Sequence, residues 1–238
     1  MAYHNNPRIV TDGLKCCLDV NDVKSYTSGS TWYDTSGNNH DCTLYNSPTL
    51  TRPVTGKSLA LTIDGTNQWM RNTSLPGGDS DFTIEIWVYH NGTDQNSSYG
   101  IYSGGANYGP LIYHHGSGMG TGHYFPGSAS GDYPGGNSAS TVNLTWTQIV
   151  HSYRLTKTND TVGVYYSFKN GVHVGTTSGF NFNNAGHGRG SNGFSLGVYT
   201  TANNYYKGSY GAFKYYNRFL SESEVYKNYI AHKTRYGL

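Results

Sequence analysis

The chain has 238 residues, of which 13% are charged, and its formal net charge is +2. So weak a charge balance gives no electrostatic reason to expect nucleic acid or an anionic membrane as a partner. No apolar run approaches the roughly 20 residues of a membrane span, and the opening segment MAYHNNPRIV lacks the apolar core of a signal peptide. These features predict a protein that is made in the cytoplasm and is not exported by the usual route.

Predicted strands follow one another along most of the chain. Apolar side chains alternate with others in short segments, which is the pattern of strands that bury one face. These segments cover residues 13–20, 58–64, 82–89, 146–154, 162–168, 194–199 and 210–216. The expected core residues are Leu59, Leu61, Ile63, Phe82, Ile84, Ile86, Val88, Val164 and Leu196.

The alternation also predicts which side chains share a face. In FTIEIWVY, residues 82–89, one face is wholly apolar and the other carries Thr83, Glu85, Trp87 and Tyr89. In the first segment, Leu14, Cys16 and Leu18 are expected on one face. In the last segment, Tyr210 is expected on the face of Ala212, Lys214 and Tyr216.

Turn and cap residues mark the ends of these elements. Asp64-Gly65 is expected to end a strand, and Asn170-Gly171 favours a type I′ hairpin because both residues tolerate positive φ. Ser221 and Glu224 form a capping box, after which apolar residues recur at helical spacing up to about His232. With no linker or repeat visible, we predict an N-terminal arm over residues 1–12 and one all-β domain over residues 13–238.

The three cysteines do not suggest a framework of disulfides or a zinc site. Cys16 and Cys17 are neighbours and Cys42 stands alone, an odd count with an adjacent pair. We expect all three to be small buried hydrophobic residues.

A resemblance to a known family covers most of the chain. Six segments resemble that family in its order, namely residues 9–19, 24–49, 58–70, 82–89, 164–176 and 216–237. They contain the opening strand, the Ser-Gly-Asn turn, the Asp-Gly turn, FTIEIWVY, the Asn-Gly-Val hairpin, and the closing strand and helix. The chain resembles the laminin-G-like, concanavalin A-like family in its pentraxin-related branch. More narrowly, it resembles structural proteins of tailed bacteriophages of marine bacteria. This chain has Cys42 where that group usually has glycine, so the turn after Asn39 is expected to differ.

The resemblance implies both a fold and a function. The fold is a two-sheet antiparallel jelly-roll sandwich with a short C-terminal helix. The function is that of a non-enzymatic virion structural or decoration protein on a capsid, neck or tail fibre, on the virion exterior after synthesis in the host cytoplasm. Its partners would be other virion proteins, further copies of itself and cell-surface polysaccharide, without nucleic acid or membrane. A secreted carbohydrate-binding lectin module is the alternative, and a glycoside hydrolase is a distant one.

Hydrolase chemistry lacks its usual residues in this sequence. Glucanases of this fold need two carboxylates flanking the scissile bond, about 5–9.5 Å apart. The chain has three glutamates, and two of them, Glu222 and Glu224, lie at the predicted helix start. Glu85 has no acidic residue two positions away on its strand face. We therefore predict that the protein is not an enzyme.

Calcium is the one cofactor that the resemblance suggests, because lectins of this fold often bind it through loop oxygens. Asp34 and Asn38 in the turn STWYDTSGNN, and Asp64 at a strand end, are the candidate ligands. An Asx-turn, in which the side chain bonds nearby backbone, explains these residues equally well.

Residues 92–141 are the richest in contact-forming side chains. Tyrosines are spaced among Gly, Ser and Asn, a mixture that combines rigid aromatic contacts with adaptable hydrogen bonds. The candidates for a ligand or interface are Tyr99, Tyr102, Tyr108, Tyr113, Tyr124 and Tyr133. Ordinary strands with long Gly-rich turns are the alternative. We expect the N-terminal arm to pack on a partner or on its own sheet.

Overall fold

A computed structural model of the chain describes residues 8–75, 81–91, 99–104, 111–115, 120–124, 144–155, 162–181, 193–199 and 204–238. These residues form seventeen strands and one helix. The strands are β1 Leu14–Asp19, β2 Thr31–Trp32, β3 Cys42–Tyr45, β4 Thr49–Thr51, β5 Ala60–Asp64, β6 Trp69–Asn72, β7 Phe82–His90, β8 Tyr99–Gly104, β9 Leu111–His115, β10 Gly120–Tyr124, β11 Trp146–Leu155, β12 Val162–Lys169, β13 Val172–Asn181, β14 Phe194–Leu196, β15 Val198–Tyr199, β16 Asn204–Tyr205 and β17 Lys207–Tyr216, and the helix is α1 Glu222–Tyr236.

The strands form two sheets. The first sheet has the order β13-β12-β11-β7-β17-β5-β4, with β1 also paired to β17. The second has the order β10-β9-β8-β14-β6-β3-β2, with β15 and β16 attached beside β8. All described pairs are antiparallel except β16 with β8. The predicted two-sheet antiparallel sandwich is confirmed.

The main core lies between the sheets and contains most of the expected residues. Leu61, Ile63, Phe82, Ile84, Ile86, Val88 and Leu196 are buried in it, and Leu59 packs against it partly buried. On β7 the side chains Ile84 and Ile86 therefore face the core, while Glu85 and Trp87 lie on the opposite face of the sheet, as the alternation predicts.

The prediction for Val164 is wrong. Val164 is only half-buried and lies outside the core, while its neighbour Tyr165 is buried there. Tyr165 pairs with Tyr153 on β11, which is also in the core. Two aromatic rings thus fill the space that the alternation assigned to a valine, and the β12–β13 register shifts between Gly163 and Val164.

Bulges correct two further assignments. The register shifts between Leu14 and Cys16, so that Cys16 enters the core while Leu14 packs on the other face of the first sheet. A second shift between Tyr210 and Ala212 puts Tyr210 on the core face with Phe213. A bulge adds one residue to one strand and so reverses the faces beyond it.

The predicted turns are confirmed. Asn170 and Gly171 have φ of 51° and 76°, which is the type I′ conformation, and Lys169 pairs with Val172. Gly65 has φ of 80°, and Asp64 Oδ1 accepts a hydrogen bond from the Thr66 amide at 2.8 Å. The three cysteines are free and buried, as expected, and Cys42 begins β3 with its side chain in the core.

Helix α1 begins after Ser221, as predicted, but runs four residues beyond His232 to Tyr236. The carboxylate of Glu224 accepts the Ser221 amide at 2.9 Å and pairs with Arg218 at 2.6 Å. This pairing lowers the pKa of Glu224 to about 2. Gly237 ends the helix with φ of 84°. No helix in the described part of the chain is long and apolar enough to cross a membrane.

The helix and the segment before β1 cover the outer face of the first sheet. The helix buries Val225, Asn228, His232 and Tyr236, and Tyr236 stacks on Trp87 with centroids 4.2 Å apart. Val10 is buried with Val225, and its amide donates to Asn228 Oδ1 at 2.7 Å. The described part of the predicted arm thus packs on its own domain, while residues 1–7 lie outside the described residues.

Candidate functional site

The turn that contains the first calcium candidates is organised by Asp34. Its Oδ1 accepts the amides of Cys17 and Ser36, both at 2.8 Å. Its Oδ2 accepts the Ser36 hydroxyl at 2.8 Å and the His40 amide at 3.0 Å. These four hydrogen bonds join β1 of the first sheet to the loop that leads into β3 of the second. They give Asp34 a structural task without any ion.

The other two calcium candidates differ in their surroundings. Asn38 donates to the Ser36 hydroxyl at 2.9 Å, so it belongs to the same turn as Asp34. Asp64 bonds Thr66 and Gln68 within its own turn. Within the described residues, no group of three or more His, Cys, Asp or Glu side chains is placed to hold a metal. The calcium site therefore stays a prediction.

Four of the six candidate tyrosines lie on neighbouring strands. Tyr99 and Tyr102 are on β8, Tyr113 is on β9 and Tyr124 is on β10, at one edge of the second sheet. Tyr102 pairs with Leu196 of β14, and Tyr124 pairs with Leu111 of β9. Tyr108 and Tyr133 lie outside the described residues. The role of this group in binding stays a prediction.

Glu85 lies in a closed polar cluster between the first sheet and α1. We define this polar cluster as Glu85, Trp87, Lys214, Asn228 and His232. Glu85 Oε1 accepts Lys214 Nζ at 2.8 Å and Trp87 Nε1 at 3.2 Å, and its Oε2 accepts Asn228 Nδ2 at 2.7 Å. Glu85 is 0% exposed, so its carboxylate is enclosed by its partners.

The rest of the polar cluster satisfies the buried lysine. Lys214 Nζ lies 3.4 Å from His232 Nδ1. Burial lowers the pKa of His232, and the cations of Lys214 and Arg235 lower it further. The neutral ring can then accept from the ammonium group. Asn228 also donates to the Tyr216 hydroxyl at 2.9 Å, so the cluster ties β7, β17 and α1 together.

This arrangement holds elements in place but does not fit hydrolysis. A glycosidase needs a second carboxylate across an accessible cleft, whereas the groups around Glu85 are an ammonium, an indole and an amide. Alternation did not predict the polar cluster, although two signals were visible. Glu85 and Lys214 interrupt apolar strands, and Asn228 and His232 are spaced four apart on the helix.

The outer face of the second sheet is more exposed than the polar cluster. Tyr45 of β3 lies opposite Trp69 of β6, and their rings stack with centroids 4.2 Å apart and planes 12° apart. Tyr45 is 38% exposed and Trp69 is half-buried. The residue before Tyr45 on β3, Leu44, and the residue after Trp69 on β6, Met70, are both buried in the core, so the two rings lie on the opposite face. Sequence alone does not pair these two aromatic residues, because they lie on strands separated by β4 and β5.

Comparison with known proteins identifies the family. Residues 61–226 match the family model described as Concanavalin A-like lectin/glucanases superfamily. The chain belongs to this superfamily. The matched residues run from β5 to the first turn of α1. A separate search of curated proteins found no match.

Solved structures with the same fold come from several kinds of protein. The binding domain of Paraclostridial Mosquitocidal Protein 1 is 17% identical with a TM-score of 0.63, over 92% of this chain and 52% of that one. Domain 4 of AbnA, a GH43 extracellular arabinanase from Geobacillus stearothermophilus in complex with arabinotriose, is 18% identical with a TM-score of 0.59, over 92% and 98%. The binding domain of Botulinum neurotoxin DC in complex with rat synaptotagmin II is 14% identical with a TM-score of 0.64, over 92% and 51%.

These similarities show the fold alone. The chain spans about half the length of the mosquitocidal binding domain, with 52% covered, and 34% of a Trypanosoma rangeli sialidase at a TM-score of 0.65. The predicted jelly-roll class of this chain is thus confirmed.

Proposed function

We propose that this chain is a non-enzymatic structural protein of a tailed-bacteriophage virion, and that it works by attachment and recognition. The observation that carries the non-enzymatic part is the enclosure of Glu85 by Lys214, Trp87 and Asn228. It is the one glutamate of the chain outside the start of α1. Within a superfamily of lectins and glucanases, this arrangement favours binding over hydrolysis.

The virion location rests on the resemblance of six segments to structural proteins of marine tailed phages. In this proposal the protein lies on the virion exterior, on a capsid, neck or fibre, after synthesis in the host cytoplasm. Its partners are other virion proteins, further copies of itself and host-surface glycans. A charged fraction of 13% suits attachment in seawater, because exposed ion pairs are strongly screened at high salt.

A secreted carbohydrate-binding module is the second candidate. One observation favours it: the chain covers 98% of domain 4 of AbnA, a domain solved in complex with arabinotriose. Both candidates share glycan recognition and differ in where the protein is found.

Immunogold labelling separates the two candidates. Antibody raised against the folded protein should decorate the outside of purified particles from a lysed culture. If the particles stay unlabelled and the antigen is found instead in the medium of uninfected cells, the secreted module replaces the virion protein.

A hydrolysis assay tests the non-enzymatic part. Purified protein should release no reducing ends from laminarin, agar or alginate, and neither should Glu85→Gln. Release by the wild type that disappears in Glu85→Gln would contradict the proposal.

A further inference from the structure

The outer face of the second sheet carries an ordered pattern of side chains around Tyr45, which is 38% exposed, and the half-buried Trp69 and Arg71. Residues directly opposite each other on neighbouring strands share a face. Tyr45 lies opposite Trp69, and one pair further along the same strands Thr43 lies opposite Arg71. On the other side of Arg71, Ser195 of β14 continues this row. The face thus presents an aromatic pair beside an arginine, with exposed Thr43 on one side of the arginine and buried Ser195 on the other.

The aromatic pair is held rigidly by the turns beside it. Gln68, next to Trp69, donates to the carbonyls of Asn46 and Ser47 at 3.1 and 2.9 Å. Asn46 in turn donates to the Asn67 carbonyl at 2.6 Å. These bonds fix the residues that follow Tyr45 to those that precede Trp69. The pair is therefore preorganised, which lowers the entropy cost of binding a ligand.

The same turn contains unusual backbone. Asn46 and Ser47 have φ of 57° and 58°, so two consecutive residues other than glycine are in the left-handed region. Such conformations cost free energy and persist where the surrounding contacts enforce them, often at binding sites. Here the enforcing contacts come from Gln68 and Asn46 itself.

Arg71 adds a charge that none of the described residues neutralises. The arginine ion pairs among the described residues belong to Arg218 and Arg235, and Arg71 has none. It is half-buried, and its neighbours across the sheet are the neutral hydroxyls of Thr43 and Ser195. Two residues along a strand span about 7 Å, so Arg71 lies about one sugar ring away from Trp69.

We propose that this face, defined by Tyr45, Trp69 and Arg71, binds an anionic polysaccharide. A pyranose ring packs its apolar side on the aromatic pair, and a carboxylate or sulfate on that sugar or the next accepts hydrogen bonds from Arg71. Guanidinium matches the geometry of such oxyanions. One arginine among the described residues of this face, in a chain with net charge +2, suits a sugar polymer better than a nucleic-acid backbone, which needs many cations. The inference rests on the glycan recognition proposed above.

The test is affinity electrophoresis of the full chain through gels containing alginate, a sulfated carrageenan or neutral laminarin. Trp69→Ala and Tyr45→Ala remove the aromatic contact, and Arg71→Gln removes the charge at similar length. The matched control is the double variant Tyr226→Ala/Lys227→Gln, which removes an exposed aromatic ring and a cation from α1. Thermal unfolding of each variant confirms that it is folded.

The wild type and the control should be retarded by at least one anionic gel. Trp69→Ala and Arg71→Gln should weaken that binding about tenfold, the usual effect of losing one stacking or charge-assisted contact. Preference for alginate identifies carboxylate as the ligand group, and preference for carrageenan identifies sulfate.

Three results would overturn the inference. Equal binding by the wild type and all three variants would remove the site but leave glycan recognition standing. Binding of laminarin as strong as that of the anionic polymers would remove the role of Arg71. Retardation by none of the gels would remove this ligand class, while the immunogold result would still decide the virion proposal by itself.

Discussion

The two sheets of this sandwich use their outer faces in opposite ways. The first sheet is covered on both faces. The core covers its inner face, and α1 with the segment around Val10 covers its outer face. The second sheet has the same core on its inner side, but its outer side presents Tyr45, Trp69 and Arg71. The covered face is rich in charge that is internally paired, whereas the open face carries an arginine without an ion pair among the described residues.

This difference separates stability from recognition. Buried charge such as Glu85 with Lys214 is costly to remove from water, and it holds elements in register once it is paired. Exposed aromatic residues contribute little to stability and remain free to contact another molecule. We therefore expect substitutions on the first sheet to affect unfolding, and those on the open face to affect binding.

The largest contrast is expected between β7 and β6. Neighbouring residues on β7 should be equally costly to substitute, whereas neighbouring residues on β6 should differ. On β7, Ile86→Ala and Trp87→Ala should each lower the free energy of unfolding by about 3–5 kcal/mol, because both side chains are fully buried. On β6, Met70→Ala should cost a similar amount, but Trp69→Ala only about 2 kcal/mol, because the half-buried ring loses its stacking and part of its burial. Urea denaturation measures all four. Equal costs for Trp87→Ala and Trp69→Ala would contradict the contrast.

The buried ion pair is expected to be the next most sensitive feature. Lys214→Met should cost about 3 kcal/mol, because it leaves the Glu85 carboxylate buried without a cation. The double variant Glu85→Gln/Lys214→Met should regain most of this loss in urea denaturation. Arg71→Met on the open face is the control and should stay within about 0.5 kcal/mol of the wild type. A single variant as stable as the double would show that the pair is not enclosed.

The connection between the sheets supplies a third test. Asp34→Ala should cost about 2 kcal/mol, because it leaves the Cys17, Ser36 and His40 amides without their acceptor. Asp64→Ala, which breaks one turn bond, should cost less than about 1 kcal/mol. Melting temperatures that are the same with calcium and with a chelator would mean that Asp34, Asn38 and Asp64 are turn residues only. A rise with calcium that Asp34→Ala abolishes would identify a bound ion, since a ligand of the native state stabilises it.

Acid is expected to act on the covered face with a smaller effect. The pKa of His232 is lower in the folded protein than its unfolded value of about 6.5. The stabilising contribution of the neutral His232 ring is therefore complete above pH 6.5 and is lost as the pH falls. The slope is at most about 1.4 kcal/mol per pH unit for this one group, and His151, whose pKa burial lowers to about 3, adds to it.

The effect of His232 can be isolated between pH 6.5 and 4.5. In this range Glu224 does not yet contribute, because its unfolded pKa is about 4.5 and its folded pKa about 2. His232→Gln should reduce the slope of unfolding free energy against pH. An unchanged slope in His232→Gln would mean that the ring is protonated in the folded state.

How far the sequence predicts this molecule depends on whether the interaction is local. The faces of β7, the turns at Asp64 and Asn170, and the start of α1 at Ser221 follow from residues within a few positions of each other. Alternation predicted the wrong face of the sheet for Leu14, Val164 and Tyr210. A bulge or a competing aromatic ring changes the strand register, and the local sequence pattern does not show this change.

The sites are harder to predict than the fold for the same reason. Asn228 and His232 resemble solvent-facing helix residues until Glu85 and Lys214, which lie far away in sequence, are placed beneath them. The stacking of Tyr45 on Trp69 likewise requires the pairing of β3 with β6. Neither contact can be inferred from spacing along one segment.

The position of β17 has a consequence for how the chain must assemble. It is the last strand in sequence, yet it lies inside the first sheet, paired with β7 on one side and with β1 and β5 on the other. A ribosome therefore exposes three strands with unpaired edges before it delivers the strand that joins them. Sheets closed by such distant contacts fold slowly, and open edges invite aggregation in the meantime. Overproduction at low temperature or with chaperones should accordingly raise the yield of folded protein.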